Sequence, residues 1–165
     1  MEDPSFKKAP PRLPVVIVPY PLYLITFNTL ARARTLATQT TQDAFVLHAR
    51  EGAKRGASVG RYVIMPDHLH FFLRFNADIT LGRWVAGLKR RLSDALVKQG
   101  INSAQIPGCK LRGHWQPGFF DHLLRTDESY AEKWAYVWKN PVRAGLVRSP
   151  EQWPYQGEIV RIDRA

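Results

Sequence analysis

The chain has 165 residues, 45% of them hydrophobic, with 24 Lys plus Arg against 14 Asp plus Glu, a net charge of +10 and a pI near 10.1. This excludes a disordered chain and suits one domain with its own core, and the basic excess points to a polyanionic partner, nucleic acid first. The single cysteine, Cys109, excludes an internal disulfide and a cysteine-built zinc site and fits a reducing cytoplasm.

Residues 1–20 read as a flexible Pro-rich tail, whose opening MEDPSFKKAPPRLP lacks the apolar segment of a signal peptide, ahead of a single domain over 21–165. The most apolar window, LPVVIVPYPLYLITF (13–27), is shorter than the roughly 20 residues of a membrane span and is interrupted by Pro14, Pro19 and Pro21. It is expected to lead into a buried strand at 21–29, and no membrane partner is expected. A helix follows in TTQDAFVLHAREGAKRG, with Ala44, Phe45, Leu47 and His48 as its stripe, Thr41 as N-cap and Gly52 or Gly56 as stop. Strands at 59–65 and in HLHFFLRF, joined by the Pro66-Asp67 turn signal, form a hairpin. From Thr80 the apolar spacing becomes helical: Leu81, Trp84, Val85, Leu88, Leu92, Ala95 and Leu96 recur at threes and fours, and Gly100 stops the run. The other face of that helix carries Arg83, Lys89, Arg90, Arg91 and Lys98. Residues 101–113 read as a loop, and HWQPGFFDHLLRT has β character with a bend at Pro117-Gly118. TDESYAEKWAYVWKNP is a helix capped by Thr126 or Asp127 and ended by Pro141, followed by a C-terminal turn and packing segment. The order β-α-β-β-α-β-α predicts an α+β fold: a ferredoxin-like split βαβ sandwich, an antiparallel sheet with helices on one face plus a C-terminal tyrosine-bearing helix.

Chemistry-bearing residues fall in two places. In VIMPDHLHFFLRF (63–75), His68 and His70 are two apart on a strand, so they share a face while Leu69 and Phe71 point the other way. Two imidazoles so placed can share a divalent metal, or each can sit half-buried with a backbone or water partner. In YAEKWAYVWKNP, Tyr136 and Asn140 are four apart on one helical face. A tyrosine oxygen can act as nucleophile and an amide oxygen can bind Mg²⁺ or Mn²⁺; equally, Tyr136 can pack with Trp134 and Trp138 and Asn140 can cap the helix.

The stretches VIMPDHLHFFL, WQPGFFDHLLR and YVWKNPVRAGLV resemble the single-tyrosine HUH (IS200-like) transposases, and among them the REP-associated tyrosine transposases. The similarity runs from about Tyr23 to Tyr155 and includes a closing W-P-Y segment. It implies a ferredoxin-like core, His68 and His70 as metal ligands, Asn140 as the third, and Tyr136 as catalytic nucleophile. It implies a metal-dependent endonuclease and strand transferase on single-stranded DNA beside a hairpin or palindromic repeat, with a 5′-phosphotyrosine intermediate, Mg²⁺ or Mn²⁺ as cofactor and no nucleotide cofactor. Monomer and homodimer are both compatible with the family. The chain departs from the pattern in MPDH, where many relatives have MPNH, and at Trp138, where relatives often have a smaller ring; neither change removes a reacting group.

Arg83, Lys89, Arg90, Arg91, Arg112, His122, Arg125 and Lys139 are the candidate DNA-contacting residues, for phosphate contacts that position a strand without reading it. Trp115 and Phe119 can stack bases or pack in the core. A competing reading is a domesticated, catalytically silent hairpin-binding protein, against which the complete set His68, His70, Tyr136 and Asn140 argues. A water-using phosphoesterase fits less well: position 72 is Phe72 rather than a third histidine, and neither histidine begins an H-x-[ST] motif.

Overall fold

Alternation along one strand decides the layering of this molecule. The computed structural model describes residues 21–125 and 130–162; the expected tail at 1–20 and the expected cap at Thr126 or Asp127 lie outside them. In chain order the elements are β1 (Leu22–Asn28), a 3-10 turn (Leu30–Arg32), α1 (Gln39–Ala53), β2 (Ala57–Ile64), β3 (His68–Phe75) and α2 (Leu81–Lys98). Then come β4 (Ala104–Gln105), β5 (Arg112–Gly113), β6 (Phe120–Leu123), α3 (Tyr130–Trp138), α4 (Asn140–Arg143), a 3-10 turn (Pro150–Gln152) and β7 (Gln156–Glu158).

The main sheet is antiparallel, in the order β6-β1-β3-β2-β7. Its first four strands have the split βαβ arrangement expected from the sequence. On one face α1 and α2 bury Ile25, Phe27, Phe45, Leu69, Phe71, Leu73, Trp84 and Leu88. Residues of opposite parity face α3: Leu22 and Phe72 pack with Leu124, Tyr130 and Ile162, and Val63 packs with Met65, Val137 and Trp153. The rings of Phe72 and Tyr130 meet edge to face with centroids 4.5 Å apart, a contact worth about 1 kcal/mol beyond burial.

Local details depart from expectation. Thr38 rather than Thr41 caps α1, accepting from the Thr41 amide at 3.2 Å, because Thr38 is the last extended residue before the helix. The buried stripe of α1 is Thr41, Phe45, Ala49 and Gly52, and Leu47 faces solvent. Gly56 is the required stop: its φ is +86°, and a Cβ there would lie 2.5 Å from the Asn76 carbonyl. The 101–113 loop contains a small ribbon pairing Ala104 with Gly113 and Gln105 with Arg112. The C-terminal packing segment supplies β7, a fifth strand, because Trp153 anchors it by donating to the Ile64 carbonyl at 3.0 Å. The tyrosine helix does not end at Pro141. It breaks at Lys139 and restarts as α4, with Pro141 in the first turn, where a missing N–H costs nothing. Trp115 packs edge-on against Phe27 and donates to Ser93 at 2.8 Å, and Phe119 packs against the main core.

Gly60 sets how closely α3 approaches the sheet. A Cβ at Gly60 would lie 2.6 Å from Ile162 Cδ1 and 2.9 Å from the Tyr130 hydroxyl, which itself accepts from the Arg61 amide at 3.2 Å. Gly60→Ala is therefore expected to cost about 1–3 kcal/mol by overpacking, read as a lower midpoint of chemical unfolding. The same variant should raise amide exchange in α3 more than in α1, which lies on the other face.

Candidate functional site

His68 and His70 project from β3 toward the face that α3 covers, as the strand alternation requires, with Leu69 and Phe71 in the core opposite. The rings meet edge to face at 4.8 Å between centroids. His68 Nδ1 lies 2.7 Å from Asp67 Oδ1. A carboxylate only accepts, so Nδ1 carries the proton and Nε2 keeps its lone pair. His70 Nδ1 lies 2.7 Å from the Thr26 hydroxyl, which sits directly across the β1–β3 pair.

Burial lowers both rings below the ordinary imidazole range. Burial pushes His70 down to about 3, and the charges of His68, Arg143 and Arg32 act in the same direction. Burial also holds His68 below the ordinary imidazole range against the pull of Asp67. For Asp67, burial acts upward, but the His68 hydrogen bond and the Arg32 charge outweigh it, so the carboxyl stays below its ordinary value. Two neutral imidazoles, each tied at Nδ1, are the form in which histidine binds metal.

The tyrosine helix reaches this pair by packing. Val137 packs with Val63, the cross-strand partner of His70. Its neighbour Tyr136 is 66% exposed, so it is not a core residue. Asn140 follows through the Lys139 turn, which keeps αR backbone angles. One arginine joins the group: Arg143 lies over the Tyr136 ring at 4.1 Å, donates to the Tyr136 carbonyl at 2.7 Å and donates to Asn140 Oδ1. Its charge also bears on His70. Among the described residues no three His, Cys, Asp or Glu side chains gather as a metal site. The Asn140 amide oxygen, beside Arg143, is an uncharged oxygen donor with a second lone pair.

The candidate phosphate contacts divide between the faces. Arg83, Arg90 and Arg91 lie on α2, behind the sheet from the histidines; Arg91 pairs with Glu51 at 2.6 Å, and with Arg83 it lines a cleft of about 810 Å³ beside His48. Lys89 turns inward: its ammonium donates to the carbonyls of Gln116 and Gly118 at 3.2 and 2.5 Å, and burial pushes it down to about 8. Arg112 lies on the β4–β5 ribbon and donates to Gln105 at 3.3 Å. His122 shares the histidine face, opposite Leu24, Arg125 follows β6 exposed, and Lys139 lies exposed in the α3–α4 turn. Phe120 is an exposed aromatic of this face, in one row with Thr26 and His70.

Sequence reasoning missed Thr26, Asp67, Arg32 and Arg143. Only Asp67 carried a local signal, by adjoining His68. Asp67→Asn should weaken divalent-ion affinity about 10- to 100-fold, the usual range for a partner that orients a ligating histidine. Mn²⁺ titration followed by electron paramagnetic resonance measures this directly.

Comparison with known proteins adds three findings. A family model described as "Transposase IS200 like" matches residues 21–137. A REP-associated tyrosine transposase of Escherichia coli (strain K12) is 28% identical over 133 residues, 78% of this chain and 72% of its own length. A solved structure of a REP-associated tyrosine transposase bound to a REP hairpin has the same fold, with a TM-score of 0.65 over 88% of this chain and 81% of that one, at 21% identity.

Proposed function

Because this chain belongs to the IS200-like transposase family, we propose that it cuts and rejoins single-stranded DNA next to a hairpin or palindromic repeat, with Tyr136 as nucleophile. The carrying observation is the placement of Tyr136 and Asn140, under one arginine, on the sheet face that bears His68 and His70. The related transposase whose solved structure holds a REP hairpin supports hairpin DNA as the partner class. The basic balance of the chain supports a nucleic-acid substrate, and the reading places the protein in the cytoplasm.

Tyr136 Oη attacks phosphorus in the strand. An O–P bond forms, the bond to the 3′ oxygen breaks, and the leaving oxygen takes a proton to become a free 3′-hydroxyl. The downstream strand stays on the protein as a 5′-phosphotyrosine. A 3′-hydroxyl from another strand then attacks that phosphorus, and the phenolate of Tyr136 leaves. The number of phosphodiester bonds is conserved, so no nucleotide cofactor is required. His68 through its Nε2 lone pair, His70 through its imidazole and Asn140 through Oδ1 would hold Mg²⁺ or Mn²⁺, which supplies Lewis-acid charge to the scissile phosphate when bound. Asp67 and Thr26 orient the two imidazoles, and Arg143 holds the tyrosine helix against its own turn.

Single-stranded palindromic DNA, labelled at the 5′ or the 3′ end and incubated with Mn²⁺, tests the reading on a denaturing gel. The 3′ label is expected to remain with the protein and the 5′ label to leave on a free strand. Transfer of the 5′ label instead overturns the polarity. Binding without any adduct across several hairpins leaves the catalytically silent hairpin binder.

A further inference from the structure

After β1 the chain turns through a conformation that residues with side chains rarely adopt. Ala31 and Arg32 both have φ +54°, the left-handed region that favours glycine. Buried neighbours hold them there. The single Thr29 hydroxyl proton is shared between the Ala33 carbonyl at 2.8 Å and the Asp67 carbonyl at 3.1 Å, and the Leu30 amide donates to the His114 carbonyl at 2.8 Å. Strain kept in place by its surroundings is a mark of functional sites.

The turn determines where Arg32 goes. Its Nε lies 2.9 Å from Asp67 Oδ2, and its Nη1 donates to Asn28 Oδ1 at 2.6 Å. Asp67 is the partner of His68, and Asn28 sits opposite His68 across the β1–β3 pair. The guanidinium plane is therefore fixed from two sides, and its charge bears on both histidines. These bonds use two of its five N–H groups, and the side chain is half exposed, so donors remain for another acceptor at the rim of the histidine pair.

We propose that Arg32 grips the non-bridging oxygens of the phosphate attacked by Tyr136 and balances the charge that builds on them during attack. The proposal rests on the strand-cutting reading above and adds to it a residue that sequence reasoning did not single out. A fixed, planar, permanently charged fork suits a phosphate better than a flexible ammonium. It also explains why a non-glycine residue occupies a left-handed position beside the site: the strained turn delivers the side chain.

The test compares wild type with Arg32→Ala and Arg32→Lys, using single-turnover adduct formation on single-stranded palindromic DNA and Mn²⁺ affinity by electron paramagnetic resonance. Arg32→Ala is expected to slow adduct formation about 100-fold, the usual loss for one transition-state donor, with Mn²⁺ affinity within twofold of wild type. Arg32→Lys should fall between, since it keeps the charge and loses the fork. If Mn²⁺ affinity falls in step and excess Mn²⁺ restores the rate, Arg32 only orders Asp67 and His68, and the proposal is overturned. An unchanged rate overturns it as well. Thermal melting monitors the fold; should Arg32→Ala melt early, Arg32→Lys carries the comparison. If wild type forms no adduct, the cutting reading fails, and Arg32 is judged by strand binding in a Tyr136→Phe background. There, at least fivefold weaker binding with Arg32→Ala supports a phosphate contact, and unchanged binding removes it.

Discussion

Tyr136→Phe is expected to abolish the covalent protein–DNA adduct and to leave strand binding within about twofold of wild type. The substitution removes one oxygen and keeps the ring under the Arg143 guanidinium. Tyr136 is largely exposed, so its hydroxyl does not hold the fold together, and stability should stay within about 0.5 kcal/mol, as for other surface changes. The chemical effect is of another order, because without the nucleophile there is no covalent intermediate to form. The measurement is adduct yield on a denaturing gel, with binding followed by fluorescence anisotropy. Cleavage that survives in Tyr136→Phe would mean that water or another side chain attacks, and the assignment of Tyr136 would be wrong.

Neighbouring positions of β3 should respond in opposite ways to the same substitution. Phe71 is fully buried and meets Phe27, Phe45 and Trp84 at ring separations of 6.2, 5.6 and 5.9 Å. Phe71→Ala should cost about 3–5 kcal/mol, because the aromatic residues around it cannot collapse into the space, and the midpoint of melting should drop by roughly 10 °C or more. His70→Ala removes a neutral ring and its bond to Thr26, worth about 1 kcal/mol net. It should nevertheless abolish Mn²⁺ binding and adduct formation. Melting curves together with Mn²⁺ titration of the two variants separate these outcomes. Loss of Mn²⁺ binding in Phe71→Ala while it remains folded, with retention in His70→Ala, would place the metal elsewhere.

Much of this was legible along the chain. The alternation in HLHFFLRF put the histidines on one face, and the apolar stripe of α2 placed its core residues as observed. Tyr136 and Asn140 remain neighbours although the helix breaks between them, because Lys139 keeps helical angles and Arg143 bonds both residues. The basic residues of α2 were legible as a charged face, but which side of the sheet that face lies on was not. Arg83, Arg90 and Arg91 turn out to lie behind the histidines. Lys89 read as another surface cation, yet two carbonyls of the 116–118 turn draw it inward.

By itself the sequence determined what depends on near neighbours. Strand and helix periods assign each residue to a face of its own element, and hydrophobic burial makes that assignment costly to reverse. Only the tertiary structure decided what depends on residues far apart in the chain: that α3 covers the histidine face, that β7 extends the sheet, and that Arg32, Asp67 and His68 join in one network. The left-handed turn at Ala31 and Arg32 runs against local preference. It is held by Thr29 and by carbonyls of distant segments, contacts that come into being only when the sheet and its loops assemble.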